Sequence, residues 1–247
     1  FMRLPHVPED HPRASEVQIG LIGLPFDGGT SNRPGPRHGP RALRDASTMI
    51  RAQHPVTGMR PFEVAACADL GDVGPNPVDT ADTLARYESA FAAIRARGIR
   101  PLSAGGDHLC TLPVLRGLAR GAPMGLVHFD SHTDLYPPYF GGKTLTHGNP
   151  FRVAVEEGLL DPKRMIQIGI RGTTYDNEDT DFASANGIRI VRIEELFDRG
   201  IPDVMAEARE IVGMQPAYLS YDIDFVDPAV APGTGTPEVG GYSTFEA

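Results

Sequence analysis

The sequence predicts an α/β fold, a mainly parallel sheet with helices on both faces, and three observations carry that expectation. Apolar runs of strand length recur along the chain, amphipathic stretches of helix length lie between them, and Gly- or Asp-rich turns join the two. The conspicuous polar clusters fall where the apolar runs stop, which is where open parallel sheets hold their ligands.

"VQIGLIG" (17–23) reads as the first strand, and the turn "LPFDGGTSNRPGPRHG" leads into a helix at "PRALRDASTMIRA". "VDTADTLARYESAFAAIRARG" (78–98) has apolar residues at helical spacing, Asp and Thr near its start and Gly98 at its end. "IRPLSAGGDH" is a strand and turn, with the helix "TLPVLRGLAR" after it. "MGLVHFD", "MIQIGIR", "IRIVRI" and "AYLSYDID" read as further strands. "NPFRVAVEEG", "NEDTDFASANG" and "DVMAEAREIVG" read as helices between them. There is no internal repeat, low-complexity tract or long linker, so the expectation is one domain over residues 1–247.

Composition narrows the function. The 247 residues are 40% hydrophobic and 22% charged, ordinary for a globular chain with a real core. A net charge of -9, spread along the chain, argues against nucleic-acid or anionic-membrane partners and suits a small cationic substrate. Two cysteines, Cys67 and Cys110, make no disulfide framework and point to a reducing compartment. The first twenty residues lack an apolar signal core and no stretch reaches membrane-spanning length, so a cytoplasmic location is expected. Phe1 ahead of Met2 is unusual for a native start.

Four clusters can carry chemistry: Gly105-Gly106-Asp107-His108, then Asp130, His132 and Asp134, then Thr146-His147-Gly148-Asn149, and last "SYDIDFVDPAVAPGTGTPEVGG" (220–241). Residues two apart on a strand point the same way, so Asp130 with His132, and Asp222 with Asp224, can each face one point. Asp134 lies beyond the strand and reaches back through a turn. With His108 the set is four carboxylates and two imidazoles, too negative for one cation and suited to two divalent ions sharing carboxylates. Oxygen and nitrogen donors without thiolate favour manganese, or nickel, iron or zinc. Two ions roughly 3.5 Å apart hold a bridging hydroxide that is nucleophilic at neutral pH.

Plainer readings stand beside these. "GGDH" alone is also a tight turn with a capping Asp107, and an Asp after a strand is a common cap. Successive strand ends bearing all three motifs have no such structural explanation. His6, His11, His38, His54 and His128 lack comparable company and read as surface or core residues; His128 alternates with Asp130 and could face the site, but packing beside its strand is the expectation. Cys110 reads as a buried small residue. "PGTGTPEVGG" lacks the strand–loop–helix setting of a phosphate loop and reads as a rigid, turn-rich segment near the site, so no organic cofactor is expected. His147 stays open between a proton-transfer group and a histidine that merely caps a helix entry.

Taken in order, these motifs resemble the ureohydrolase family of arginases and agmatinases, in the agmatinase-like branch with guanidinobutyrases and guanidinopropionases. The family's G-G-D-H, D-A-H-x-D and S-x-D-x-D-x-x-D-P-x-x-x-P-G-T-G-T-P-x-x-G-G signatures stand here as "GGDH" (105–108), "DSHTD" (130–134) and the 220–241 segment. The likeness extends to residues 23–47, 146–151 and 166–172. It implies a three-layer α/β/α domain around a parallel sheet, assembled as trimers or hexamers. It implies His108 and Asp134 on one metal, His132 and Asp224 on the other, and Asp130 and Asp222 as bridges, the ions being manganese, with nickel in some members. The implied reaction hydrolyses a guanidino compound, agmatine or a guanidino acid such as guanidinobutyrate, to urea and an amine by a metal-bridging hydroxide. Asp134 and His147 match the family's proton-relay residues.

Three departures qualify the resemblance. Ser131 stands where Ala is usual, and Asn149 follows "HG" where Thr or Gln is frequent, a change that can alter substrate contacts. The family's guanidinium-pairing glutamate belongs to a later segment resembling D-x-x-E-V-x-P, and this chain stops at "STFEA" before it; neither Glu238 nor Glu246 matches that position. The expectation is a domain lacking its last elements relative to the family, with a non-catalytic, metal-binding assembly or regulatory subunit as the alternative. A one-zinc deacetylase relative is disfavoured, because no adjacent pair of histidines occurs. Lys143 and Arg171, near the site in sequence, favour a guanidino acid over agmatine as substrate.

Overall fold

Short apolar runs such as the "IGLIG" of residues 19–23 and the "IQIGI" of residues 166–170 form strand segments. The computed structural model describes residues 1–119, 121–139 and 145–247. Its residues gather in two compact units, Phe1–Gly28 with Pro34–Leu118, and Gly29–Arg33 with Ala119–Ala247. Each unit holds its own parallel sheet with flanking helices. The resemblance implies a single sheet; among the described residues the strands form one of three and one of four. No described helix is long and apolar enough to cross a membrane.

In the first unit β1 (Ile19–Gly23), β2 (Cys67–Asp72) and β3 (Arg100–Ala104) pair in parallel in the order β2-β1-β3. The helices are α1 (Gly39–Ala46), the short α2 (Pro61–Val64), α3 (Thr80–Ala96) and α4 (Thr111–Leu118). Asp79 caps α3, its carboxylate accepting from Asp82 N–H at 3.0 Å, and the chain leaves the helix through Gly98 at φ 73°. Gly117 lets α4 lie against α3: a Cβ there would sit 2.7 Å from the Cβ of Phe91. Sequence reasoning missed β2. Its "CADLGD" looks like a turn, but Asp69 is buried within the strand, where Arg44 (Nε to Oδ2 2.9 Å) and Gly71 N–H (2.9 Å) satisfy it.

In the second unit β4 (Met124–Phe129), β5 (Leu160–Ile170), β6 (Arg189–Arg192) and β7 (Ala217–Tyr221) run parallel in the order β6-β5-β4-β7. The helices α5 (Pro150–Glu156), α6 (Glu178–Asn186), α7 (Ile193–Arg199) and α8 (Ile201–Val212) flank them. Ile166 and Ile168 of β5, Val191 of β6, Leu196 of α7, Val204 of α8 and Phe225 pack one core. The run "IRIVRI" does not continue as strand to its end: Ile193 is the first residue of α7, which begins directly where β6 stops.

This order places the chemistry. From β4 the chain steps outward to β5 and β6, then returns to the other side of β4 to form β7. The strand order therefore reverses between β4 and β7, the switch point at which α/β sheets leave a crevice at the carboxyl ends. Phe129 and Tyr221 are register partners, so Asp130 and Asp222, the next residue on each strand, emerge side by side. Asp222 N–H donates to Phe129 O at 2.9 Å.

Arg171, one residue beyond β5, is 8% exposed and pins the irregular segment after β7. Its guanidinium donates to the carbonyl oxygens of Gly169 (3.3 Å), Phe225 (3.2 Å), Glu238 (2.8 Å), Val239 (3.1 Å) and Asp224. Asp227 closes the same segment by accepting from the N–H groups of Ala229, Gly240 and Gly241. Each buried carbonyl left without a donor costs about 1–3 kcal/mol, offset in part by water and relaxation. Arg171→Leu is therefore expected to lower stability by about 3 kcal/mol, read as a fall in the urea midpoint of the metal-free protein; an unchanged midpoint would show that the segment is held by other contacts.

Candidate metal centre

β4 ends one residue before Asp130, and the chain bends at Ser131 and His132, so Asp130, His132 and Asp134 follow the strand on an irregular loop. After β7 a single 3-10 turn, Ile223–Phe225, is capped by Asp222, whose Oδ1 accepts Asp224 N–H at 3.0 Å. The two loops bring one ligand atom each from Asp130, His132 and Asp224 within 4.8 Å of one another. His132 Nδ1 lies 3.1 Å from Asp224 Oδ2 and 3.5 Å from Asp130 Oδ1. On the other side of the ring, Nε2 is 3.9 Å from a Glu238 carboxylate oxygen.

The charge at this cluster is unbalanced. Asp130 and Asp224 are 1% and 3% exposed. Burial, with Asp130 and Asp222 close by, pushes the Asp224 carboxyl well above the usual carboxylate range. Burial alone would push the His132 imidazole down; hydrogen bonds and charge from Asp130 and Asp224 overcome it and raise it to about 12. Both directions have one cause, carboxylates crowded where water cannot screen them and a positive charge is wanted. The donor set, two carboxylates and an imidazole nitrogen with no thiolate, fits a divalent cation of the manganese, nickel or zinc kind.

Asp130 and Asp224 are held by neighbours the sequence did not single out as partners. Gln167 Nε2 donates to Thr133 O and to His128 Nδ1 (3.1 Å), so His128 carries its proton on Nε2 and gives it to Asp130 Oδ2 at 2.7 Å. His128 is therefore not merely packing beside β4, although its ring does lie against Phe151, tilted by 55° with centroids 4.4 Å apart. The alternation of His128 with Asp130 in the sequence already allowed it to face the site, and the structure favours that alternative over packing alone. Ser131 donates its N–H (3.0 Å) and its hydroxyl (2.7 Å) to Asp224 Oδ1. What reads in the sequence as a small-for-small exchange is a second donor to a ligand carboxylate.

The remaining expected residues have separate settings. Asp134 is buried and non-glycine at φ 51°, a strained conformation costing of order 1–3 kcal/mol. The rings of Tyr136 and Tyr139 meet edge to face, 6.3 Å apart, just after it. Asp222 is half-buried and joined to the cluster through the Asp224 amide. His108 opens the 3-10 turn after β3 in the first unit, where Asp107 caps that turn by accepting Leu109 N–H at 3.0 Å; its place in a metal set is the one the resemblance implies. Cys110 is buried, as expected. His147 is half-buried, with Ser31 N–H and Oγ 3.1 and 2.6 Å from its Nε2.

The structure changes one substrate reading, that of Arg171, and shows the setting of Asn149. Asn149 is 1% exposed and its Oδ1 accepts Thr146 N–H at 2.9 Å, so it helps to close the loop before α5. Arg171 gives its donors to five carbonyl groups and is no receptor for a substrate carboxylate. Lys143 lies outside the described residues.

Known proteins resemble this chain over its whole length. The arginase-family model matches residues 17–247. The guanidinopropionase of Pseudomonas aeruginosa is 51% identical over 247 residues, covering 100% of this chain and 76% of that protein. The guanidinobutyrase of the same organism is 45% identical over 248 residues, covering 100% of this chain and 77% of that protein. Among solved structures, the proclavaminate amidinohydrolase of Streptomyces clavuligerus matches with a TM-score of 0.90 at 40% identity, over 100% of this chain and 80% of that one. The chain belongs to the arginase family, hydrolases that act on carbon–nitrogen bonds of linear amidines.

Proposed function

We propose that the protein hydrolyses a guanidino acid of guanidinopropionate or guanidinobutyrate length to urea and an amino acid, using two divalent ions, manganese before nickel. The observation that carries this reading is the convergence of Asp130, His132 and Asp224 on one ligand-sized space at the switch point. The choice of a guanidino acid over agmatine is supported by the identities of 51% and 45% to a guanidinopropionase and a guanidinobutyrase. Homo-oligomeric assembly and a cytoplasmic location belong to the same proposal, on the resemblance and on two free cysteines.

A guanidinium carbon is resonance-stabilised and a poor electrophile, so attack needs an activated water and stabilisation of developing charge. Bound divalent ions supply both. His132, Asp224 and Asp130 would hold them, with Asp222, Asp134 and His108 completing the set that the resemblance implies. The chain's own part is orientation and proton movement. His128 and Ser131 fix the Asp130 and Asp224 carboxylates by donating to them, which aims the remaining oxygens into the site. Asp134 takes the proton of the attacking water, and His147 delivers one to the departing nitrogen, which otherwise leaves as a strongly basic amide anion.

Urea release should be measured side by side on guanidinopropionate, guanidinobutyrate, agmatine, arginine and guanidine, with manganese and with nickel. One of the two guanidino acids is expected to be turned over at least about tenfold faster than the other three compounds; no urea from any of them with either metal would overturn the reading. Asp224→Asn is expected to remain folded by circular dichroism while metal content and activity fall together by more than about a hundredfold, beyond the 10–100-fold typical of losing an outer partner. Full metal content in that variant would remove Asp224 from the ligand set.

A further inference from the structure

The segment Gly29–Arg33 belongs to the second unit, although the chain on either side of it belongs to the first. Hydrogen bonds across more than a hundred residues hold it there. His147 N–H donates to Gly29 O at 2.9 Å, Asn32 Nδ2 donates to Gly235 O at 2.8 Å, and Ser31 N–H donates to His147 Nε2 at 3.1 Å. The Ser31 hydroxyl oxygen lies 2.6 Å from that same Nε2. A backbone N–H can only donate, so Nε2 is the accepting nitrogen and neutral His147 carries its proton on Nδ1. Ser31 is exposed and His147 half-buried, so the residue whose hydroxyl meets Nε2 is itself open to water.

We propose that Ser31 is a positioning residue for His147: it sets the Nδ1–H tautomer, and its hydroxyl is the proton path between Nε2 and solvent. The inference rests on the reading of His147 as the group that protonates the departing nitrogen. In the step, the Nδ1–H bond breaks as that proton passes to the nitrogen leaving the guanidinium carbon. The Ser31 O–H proton passes to Nε2, and a solvent proton passes to the serine oxygen, leaving hydroxide for the buffer to neutralise. The ring stays neutral and the serine is unchanged. The Nε2–H so formed faces the Ser31 amide N–H, donor against donor, and does not persist. The ring resets when Nε2 returns its proton through the hydroxyl to the buffer base and Nδ1 takes up the proton that Asp134 drew from the attacking water, so that each cycle moves one water proton to the departing nitrogen.

Two measurements test this. In protein labelled with 15N-histidine and loaded with diamagnetic zinc, long-range proton–nitrogen correlations, assigned with His147→Asn, should show Nδ1 protonated and Nε2 as a hydrogen-bond acceptor. An Nε2–H tautomer in the unsubstituted protein would overturn the proposal. In manganese-loaded protein, Ser31→Ala should lower kcat roughly tenfold or more at low buffer concentration with KM within about twofold, and added imidazole buffer should restore much of the rate. Ser31→Thr, which keeps the hydroxyl, should retain most of it. Unchanged kcat in Ser31→Ala, or a loss that buffer cannot relieve, would also overturn it. If the unsubstituted protein releases no urea from any guanidino compound, the proposed activity fails, while the tautomer measurement still decides the role of Ser31.

Discussion

Crowding of carboxylates around one imidazole is the constraint on which the rest of the second unit depends. Asp130 and Asp224 are removed from water, close enough for each to raise the cost of ionising the other, and His132 is held between them. An arrangement of that kind is relieved by taking up protons or a cation. A proton on His132 meets the need in part, since the carboxylates lift that imidazole to about 12. A divalent cation meets it in full and brings Lewis acidity with it. The same imbalance that strains the metal-free protein is what makes the site selective for a cation.

Holding such a cluster open takes a frame, and the frame is built from donors. On one side the chain Thr133 O, Gln167, His128 and Asp130 fixes tautomer and carboxylate orientation together. On the other, Ser131 supplies two donors to Asp224 and Arg171 gathers the carbonyls of the segment behind it. Outer partners of this type tune both affinity and geometry of metal ligands. Arg171 shows why sequence proximity misleads. It sits among site residues and carries the right charge for an acid, yet every donor of its guanidinium that the structure pairs goes to backbone.

Much of the fold and of the site was legible in the sequence. Strand ends are marked by apolar runs meeting Gly or Asp, and the side-by-side emergence of Asp130 and Asp222 comes from parallel order and a strand-end rule. The motifs at 130–134 and 220–241 carried the candidate ligands by residue type and spacing alone. What escaped is long-range. β2 was hidden because its buried Asp69 looks like a turn residue until Arg44 is placed beside it. The start of α7 was hidden because Ile193 is as good a strand residue as a helix residue. The roles of Gln167, Ser131 and Ser31 depend on partners 34 to 116 residues away, which no local pattern encodes.

Isothermal titration of the intact, metal-free protein with manganese reads the demand of this cluster for a cation. Saturable uptake approaching two ions per chain is expected, abolished when Asp130 and Asp224 are both replaced by Asn in a chain that still unfolds cooperatively. Absence of uptake by a folded preparation, or undiminished uptake by the double variant, would contradict it.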